Sequence, residues 1–249
     1  MFRAKTSQEI ESMRKAGKVL AAILNEVTQM AKPGITPKQI DAKAEQMMKD
    51  AGVLPSFKGY HGYPAVTCIS VNEEVVHTIP SNRELKDGDL VKIDCGVVVN
   101  KLHSDAARQV LVGKVSPAVK HFAASAERAL YAGIKAARAG NTVYDISSAI
   151  QNSVHADKYE VVRELTGHGI GYSLHEEPHI PNCKESFTKK IKLIEGMTIA
   201  IEPILTMGKP KIKTLADGWT IVTVDNSIAT QSEHTILITR NEPEILTML

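Results

Sequence analysis

The chain runs through one order of elements twice, and this internal repetition limits what it can fold into more than any single motif does. In residues 7–30 the apolar side chains Ile10, Met13, Leu20, Ile23, Leu24 and Val27, with Gly17 on the same stripe, recur at helical spacing until Pro33-Gly34 ends the run. Thr36 then caps a second helical stretch with Pro37 in its first turn, Ile40, Ala44, Met47 and Met48 on its apolar face, and Gly52 closing it. β-branched runs follow at residues 65–71, 90–99 and 107–112, with Lys86-Asp87-Gly88-Asp89 as a turn. From Ser116 the pattern is helical again to Ala139, breaks at Gly140, resumes from Thr142 to about His155, and returns to β-rich segments through Ile238.

Four residue-level echoes occur in the same order in both halves. Gly34-Ile35-Thr36 with Ile40-Asp41 matches Gly140-Asn141-Thr142 with Ile146-Ser147, and His77-Thr78-Ile79 matches His168-Gly169-Ile170. Residues 85–94, with Gly88 and Ile93, match residues 193–202, with Gly196 and Ile201; Ser104-Asp105 matches Ser232-Glu233. A carboxylate thus stands at the same point of each half twice over, Asp94 with Glu202 and Asp105 with Glu233. A pseudo-twofold fold would bring the equivalent strands together at its axis, and these four acids with them.

Four carboxylates gathered in a dry interior repel one another and stay ionised only beside compensating positive charge. Metal ions supply that charge. Carboxylates with one imidazole suit a pair of divalent ions about 3.5 Å apart with an open position for water, whose pKa the pair lowers toward neutrality; the expected chemistry is hydrolysis. Asp94, Asp105 and Glu202 lie in or beside apolar runs, where an acid without a task is rare. Glu233 alone would more often be an exposed acid at a strand start, and its echo of Asp105 is what raises it. His168, within Thr166-Gly167-His168-Gly169-Ile170-Gly171, is the neutral partner such acids need. The same glycines could cradle a phosphate, but no acidic ribose partner in a βαβ context follows. His77 and His175 are candidates for donating to a developing oxyanion. His61, His103, His121, His155, His179 and His234 read as ordinary polar residues.

Composition excludes other classes. With 249 residues, 43% hydrophobic and 23% charged, the chain has the makings of an ordered core throughout. A net charge of +2 is too small for a nucleic-acid or membrane footprint, and the local cluster Lys184, Lys189, Lys190 and Lys192 reads as a solvated loop. Three widely spaced cysteines, Cys68, Cys95 and Cys183, form neither a disulfide framework nor a zinc knuckle. Residues 1–11 lack the apolar stretch of a signal peptide, and no apolar run reaches membrane-spanning length, so a cytoplasmic location is expected.

Over nearly its whole length the chain resembles the type I methionine aminopeptidases, metallopeptidases of the pita-bread fold. The residues that carry the resemblance are Gly59-Tyr60-His61-Gly62-Tyr63-Pro64, Ser70-Val71-Asn72-Glu73, Val76-His77 with Ile79-Pro80, Asp87-Gly88-Asp89 with Ile93-Asp94, Asp105, Gly167-His168-Gly169-Ile170-Gly171, His175-Glu176-Glu177-Pro178, Gly196-Met197-Thr198 with Ile201-Glu202-Pro203, Asp217-Gly218-Trp219, and Glu233-His234-Thr235. The resemblance implies an α/β (α+β) fold, a pseudo-twofold repeat with a central antiparallel sheet covered by helices. It implies a single catalytic domain over residues 1–249 with halves of about 1–114 and 115–249.

It further implies two divalent ions, of cobalt, manganese, iron or zinc, on Asp94, Asp105, His168, Glu202 and Glu233. Glu202 would also shuttle a proton, His77 would meet the scissile amide nitrogen and His175 the carbonyl oxygen. Tyr60, Tyr63, Cys68 and Trp219 would form the methionine pocket, a soft wall suited to a thioether. The reaction implied is removal of the first methionine ahead of a small second residue, on a nascent chain, by a monomer docking near the ribosomal exit, with no DNA or membrane partner. Departures fall near the pocket: Leu174 where phenylalanine is commoner, Phe57 for cysteine, Thr78 for glycine, and Ser232 for a larger residue. The rival readings are a proline-directed aminopeptidase of the same fold, a non-catalytic peptide-binding module, and a nucleotide binder using the 167–171 loop.

Overall fold

The computed structural model describes residues 3–249. Helix α1 (Ser7–Gln29) starts at a reciprocal cap: Thr6 Oγ1 accepts from the Glu9 backbone N–H, and the Glu9 carboxylate accepts from the Thr6 N–H at 2.7 Å. The cap is therefore one residue ahead of Ser7. Helix α2 (Pro37–Asp50) is capped by Thr36 with Gln39, and helix α4 (Val143–Ala156) by Thr142 with Asp145, so the matched threonines open the second helix of each half. Helix α3 (Pro117–Ala136) is capped by Ser116 with Pro117 in its first turn.

The strand Leu90–Val99 is the spine of the first half, pairing antiparallel with Thr67–Val71 on one side and Leu102–Leu111 on the other. In the second half Thr198–Ile201 sits between Thr166–Gly169 and His234–Leu237, again antiparallel. Helices α1 and α2 cover the first sheet through Leu20, Ile23, Leu24, Ile40 and Met48 against Val91, Ile93, Cys95 and Val97. Helices α3 and α4 cover the second through Phe122, Leu130, Ile146 and Ile150 against Ile199, Ile201 and Ile236. At 25 cal/mol per Å² of apolar area, two such layers are the main source of stability, and they leave the inner edges of both sheets to meet.

Two expectations need correction. The strand expected over 107–112 starts five residues earlier, at Leu102, because Asn100 (φ 52°) and Lys101 (φ 66°) form a two-residue turn that closes a tight hairpin. His103, Ser104 and Asp105 hide that start from a search for apolar alternation. The pairing of His77 with His168 as equivalents also fails. Matching Asp94 to Glu202 matches Lys92 to Ala200; Lys92 faces Ser70, whereas Ala200 faces His168. The counterpart of His168 is Ser70, and His77 stands beyond the strand Glu74–Val76 with a left-handed φ of 58°.

Candidate metal centre

Register sets the acids of the first half. Asp94 lies opposite Ala107 and Asp105 opposite Gly96, a diagonal pair on one face of the hairpin. Gly96 is required because a Cβ there would come within 2.8 Å of Ser56 Cβ and 3.0 Å of Phe57 Cε1. In the second half Glu202 follows Ile201 and Glu233 precedes His234, and Ile201 and His234 are themselves a register pair, so the two glutamates leave adjacent strands side by side. The Glu233 N–H donates to Ala107 O at 3.1 Å, which stitches the two halves together at the acids.

Four carboxylates and an imidazole converge. Single ligand atoms of Asp105, His168 and Glu233 lie within 4.8 Å of one another, and His168 Nε2 is 3.7 Å from Glu202 Oε1 and 4.0 Å from Glu233 Oε1. Asp94 and Glu202 are joined by Gln231, whose Nε2 donates to Asp94 Oδ2 at 3.3 Å and to Glu202 Oε2 at 3.2 Å. Gln231 was missed in the sequence. The signal available was its position two residues before Glu233, which on an extended chain puts it on the same face.

Burial pushes the Asp94 carboxyl up to about 7, with Gln231 pulling it back. Burial raises Asp105 and Glu233 well above the usual carboxylate range, and the neighbouring acids add to it; for Glu202 burial comes first and Asp94 second. His168 is pushed down to about 3, by burial and then by His175, so it is neutral. Its Nδ1 lies 2.9 Å from Gly169 O; a carbonyl can only accept, so Nδ1 holds the proton and the Nε2 lone pair faces the acids. Asp94 Oδ1, Asp105 Oδ1 and Glu233 Oε1 are buried and have no hydrogen-bond partner among the described residues. Three orphaned carboxylate oxygens around an imidazole lone pair are the donor set of a hard divalent cation, and the residues fit one.

The glycines around His168 serve packing. A Cβ on Gly167 would lie 2.4 Å from Ala200 O and one on Gly169 2.2 Å from Glu177 O, and neither residue has a left-handed backbone. Thr166–Gly169 is a strand paired on both sides, not the turn into a helix that a phosphate loop needs.

A cavity opens onto the acids. His77, His175, Tyr60, Tyr63, Cys68 and Trp219 all line it, and so do Phe57 and Leu174. Trp219 is set by a turn in which Asp217 accepts from its N–H and from Thr220, and it meets the Tyr63 ring edge-on at 5.0 Å. The Tyr63 hydroxyl lies 3.0 Å from both Thr67 O and Thr78 O, while burial pushes its ionisation far up. Tyr60 Oη lies 2.9 Å from His175 Nδ1, and the His175 ring stands edge-on to His168 at 4.4 Å. Burial, with further histidines nearby, holds His175 down to about 4. Burial also lowers His77. Among the other departures, Thr78 pairs with Ser70 through their hydroxyls and Ser232 Oγ has no partner among the described residues. The three cysteines are free and buried. No helix among the described residues is long and apolar enough to cross a membrane.

Buried acids with an imidazole, opening into an apolar cavity, define a metal-dependent hydrolase. Comparison with known proteins narrows the class. The profile of metallopeptidase family M24 matches residues 11–240. The methionine aminopeptidase of Clostridium perfringens is 45% identical over the full length of both chains, and methionine aminopeptidase 1 of Bacillus subtilis 44% identical over 99% of each. The crystal structure of the Thermotoga maritima methionine aminopeptidase superposes with a TM-score of 0.97 at 42% identity, covering all of both chains. A prolidase from Pyrococcus furiosus superposes at 0.80 with 26% identity, covering 99% of this chain and 65% of that one. The chain belongs to metallopeptidase family M24, in its methionine aminopeptidase branch, and has the pita-bread fold.

Proposed function

We propose that this protein hydrolyses the bond after an amino-terminal methionine when the second residue is small. The observation that carries the reading is one cavity with two walls: a soft apolar one of Tyr60, Tyr63, Cys68 and Trp219, which suits a thioether, and an acidic one with three oxygens unpartnered among the described residues. Asp94, Asp105, His168, Glu202 and Glu233 would hold two divalent ions, of cobalt, manganese, iron or zinc. Bound there, such ions supply the Lewis acidity that makes water nucleophilic at neutral pH.

The chain's own groups supply the rest. Glu202 is the least enclosed of the four acids, its side chain 12% exposed, and its raised proton affinity suits it to take a proton from the attacking water and pass it to the leaving amine. With the Tyr60 hydroxyl donating to Nδ1, His175 carries its proton on Nε2 and can donate to the carbonyl oxygen as charge builds there. His77, neutral in its half-buried place, would hold the scissile amide nitrogen. The substrate is read as a nascent chain, and the protein as a cytoplasmic monomer acting near the ribosomal exit, with residues 1–249 forming one catalytic domain of two halves; family kinship supports this part.

The prolidase likeness keeps a proline-directed activity as the second reading. A peptide panel separates them. Release of methionine from Met-Ala peptides but not Met-Lys peptides is the expected result, and preference for proline at the second position overturns the proposal.

A further inference from the structure

Behind the metal centre the carboxy-terminal segment makes bonds that the hydrolytic reading does not use. Thr235, fully buried, lies two residues past Glu233. Its hydroxyl accepts from the Asp105 N–H at 3.0 Å and donates to Asp105 O at 2.7 Å, so it grips both polar backbone groups of one proposed ligand. Thr235 is gripped in the same way from outside: its N–H donates to Thr247 Oγ1 at 3.2 Å, and its carbonyl accepts from the Leu246 N–H at 2.9 Å.

A second path runs through Arg108. Its guanidinium donates to Glu233 O and to Thr247 O, both at 2.8 Å, and so ties the other proposed ligand to the same segment. Arg108 Nη2 lies 3.4 Å from His234 Nδ1, and arginine has no acceptor, so that nitrogen is unprotonated and takes the Thr247 hydroxyl proton at 2.7 Å. His234 thereby faces the tail while Glu233, one residue away on the strand, faces the acids. The strands Leu102–Leu111 and His234–Leu237 belong to different sheets, and no ladder among the described residues holds them in register. Beside the single backbone bond from the Glu233 N–H to Ala107 O, side-chain hydroxyls and one guanidinium do what ladder bonds do inside a sheet.

We propose that Leu246-Thr247, Thr235 and Arg108 form a clasp that fixes the spacing between Asp105 and Glu233, with Thr235 and Thr247 as positioning residues for the metal centre. The clasp rests on the reading of Asp105 and Glu233 as ligands.

The test titrates Mn²⁺ into the metal-free full-length protein by calorimetry, with the melting temperature of the metal-free form measured alongside. Thr235→Val and Thr247→Val keep the branched shape and lose the hydroxyl; Thr235→Ser and Thr247→Ser keep the hydroxyl. The valine variants are expected to bind Mn²⁺ about tenfold more weakly, as loss of groups supporting a ligand usually causes, and the serine variants to stay near wild type. Thr247→Val touches no proposed ligand and carries the test alone if Thr235→Val does not fold. Wild-type isotherms in the valine variants overturn the clasp, as does a loss in the serine variants equal to that in the valines, which would trace the effect to packing. A wild-type protein that takes up no divalent ion overturns the metal reading, and the clasp with it.

Discussion

Asp94 and Glu202, one from each half of the chain, share a single donor: the Gln231 side-chain amide reaches Asp94 Oδ2 at 3.3 Å and Glu202 Oε2 at 3.2 Å. The amide opposes the rise that burial imposes on both carboxyls. Gln231→Leu keeps much of the volume and removes the donor. Turnover of a Met-Ala peptide is expected to fall about tenfold with little change in KM, the usual scale for a group that supports a ligand; unchanged kcat would mean that the amide is a bystander.

The Tyr60–His175 contact separates binding from chemistry. Tyr60→Phe leaves the ring in the cavity wall and removes the hydroxyl that, in the proposed mechanism, donates to His175 Nδ1 and leaves the imidazole proton on Nε2. We expect kcat to drop about tenfold, the low end for losing an oriented oxyanion donor, while KM for methionine peptides stays within error. A rise in KM with kcat intact would make Tyr60 a pocket residue alone.

Glu202→Ala should abolish hydrolysis, since the residue is both a proposed ligand and the proposed proton carrier. Exhaustive chelation should do the same to the wild type, with recovery when divalent ions return. Full activity after chelation would end the metal mechanism.

The metal-free protein should lose stability as pH rises from about 6.5 to about 8. Asp94 sits at about 7 and burial raises the other three acids well above the usual carboxylate range, so the folded state holds protons that the unfolded state has released, and the unfolding free energy falls as pH rises through the Asp94 value. Lys92, pushed down to about 7 by burial, works the other way above that value, one group against the four raised acids. Below about 6.5 the buried histidines also oppose the trend, which is why the interval starts there. Melting temperatures of the chelated protein across these pH values test this, and saturating Mn²⁺ should flatten the slope.

Helix α1 packs against the carboxy-terminal segment with no room to spare: a Cβ on Gly17 would lie 2.1 Å from Leu246 O. Gly17→Ala should therefore cost about 2 kcal/mol, within the usual range for overpacking, in spite of alanine's better helix propensity. Urea unfolding gives the number. A stabilised variant would show that helix and tail can part without penalty.

Much of this was legible from residue types in order. The matched Thr36 and Thr142 caps and the spine strand 90–99 followed from periodicity, because cap chemistry and period-2 burial are local; repetition suggested that Asp94, Asp105, Glu202 and Glu233 would meet, and His168 entered as the neutral partner such acids need. What stayed hidden is not local. The clasp residues Thr235 and Thr247 look like ordinary threonines until the tail is seen to fold back, and the true counterpart of His168 is a matter of strand register, which residue similarity does not report. Ser70 and His77 both lie near the right place, and only pairing across the strand decides between them.

The two halves connect their acids by different means. Asp94 and Asp105 are joined by the closed turn at Asn100-Lys101, so adding or removing one residue there would throw an acid onto the wrong face of the sheet. Between Glu202 and Glu233 the chain instead makes a long excursion through the strands Ile204–Thr206, Ile212–Thr214, Ile221–Thr223 and Ala229–Gln231 before it returns. The part of that excursion from Ile212 to Thr223, Trp219 included, can therefore change in length or charge without moving an acid off its strand, whereas the opposite hairpin tolerates no insertion.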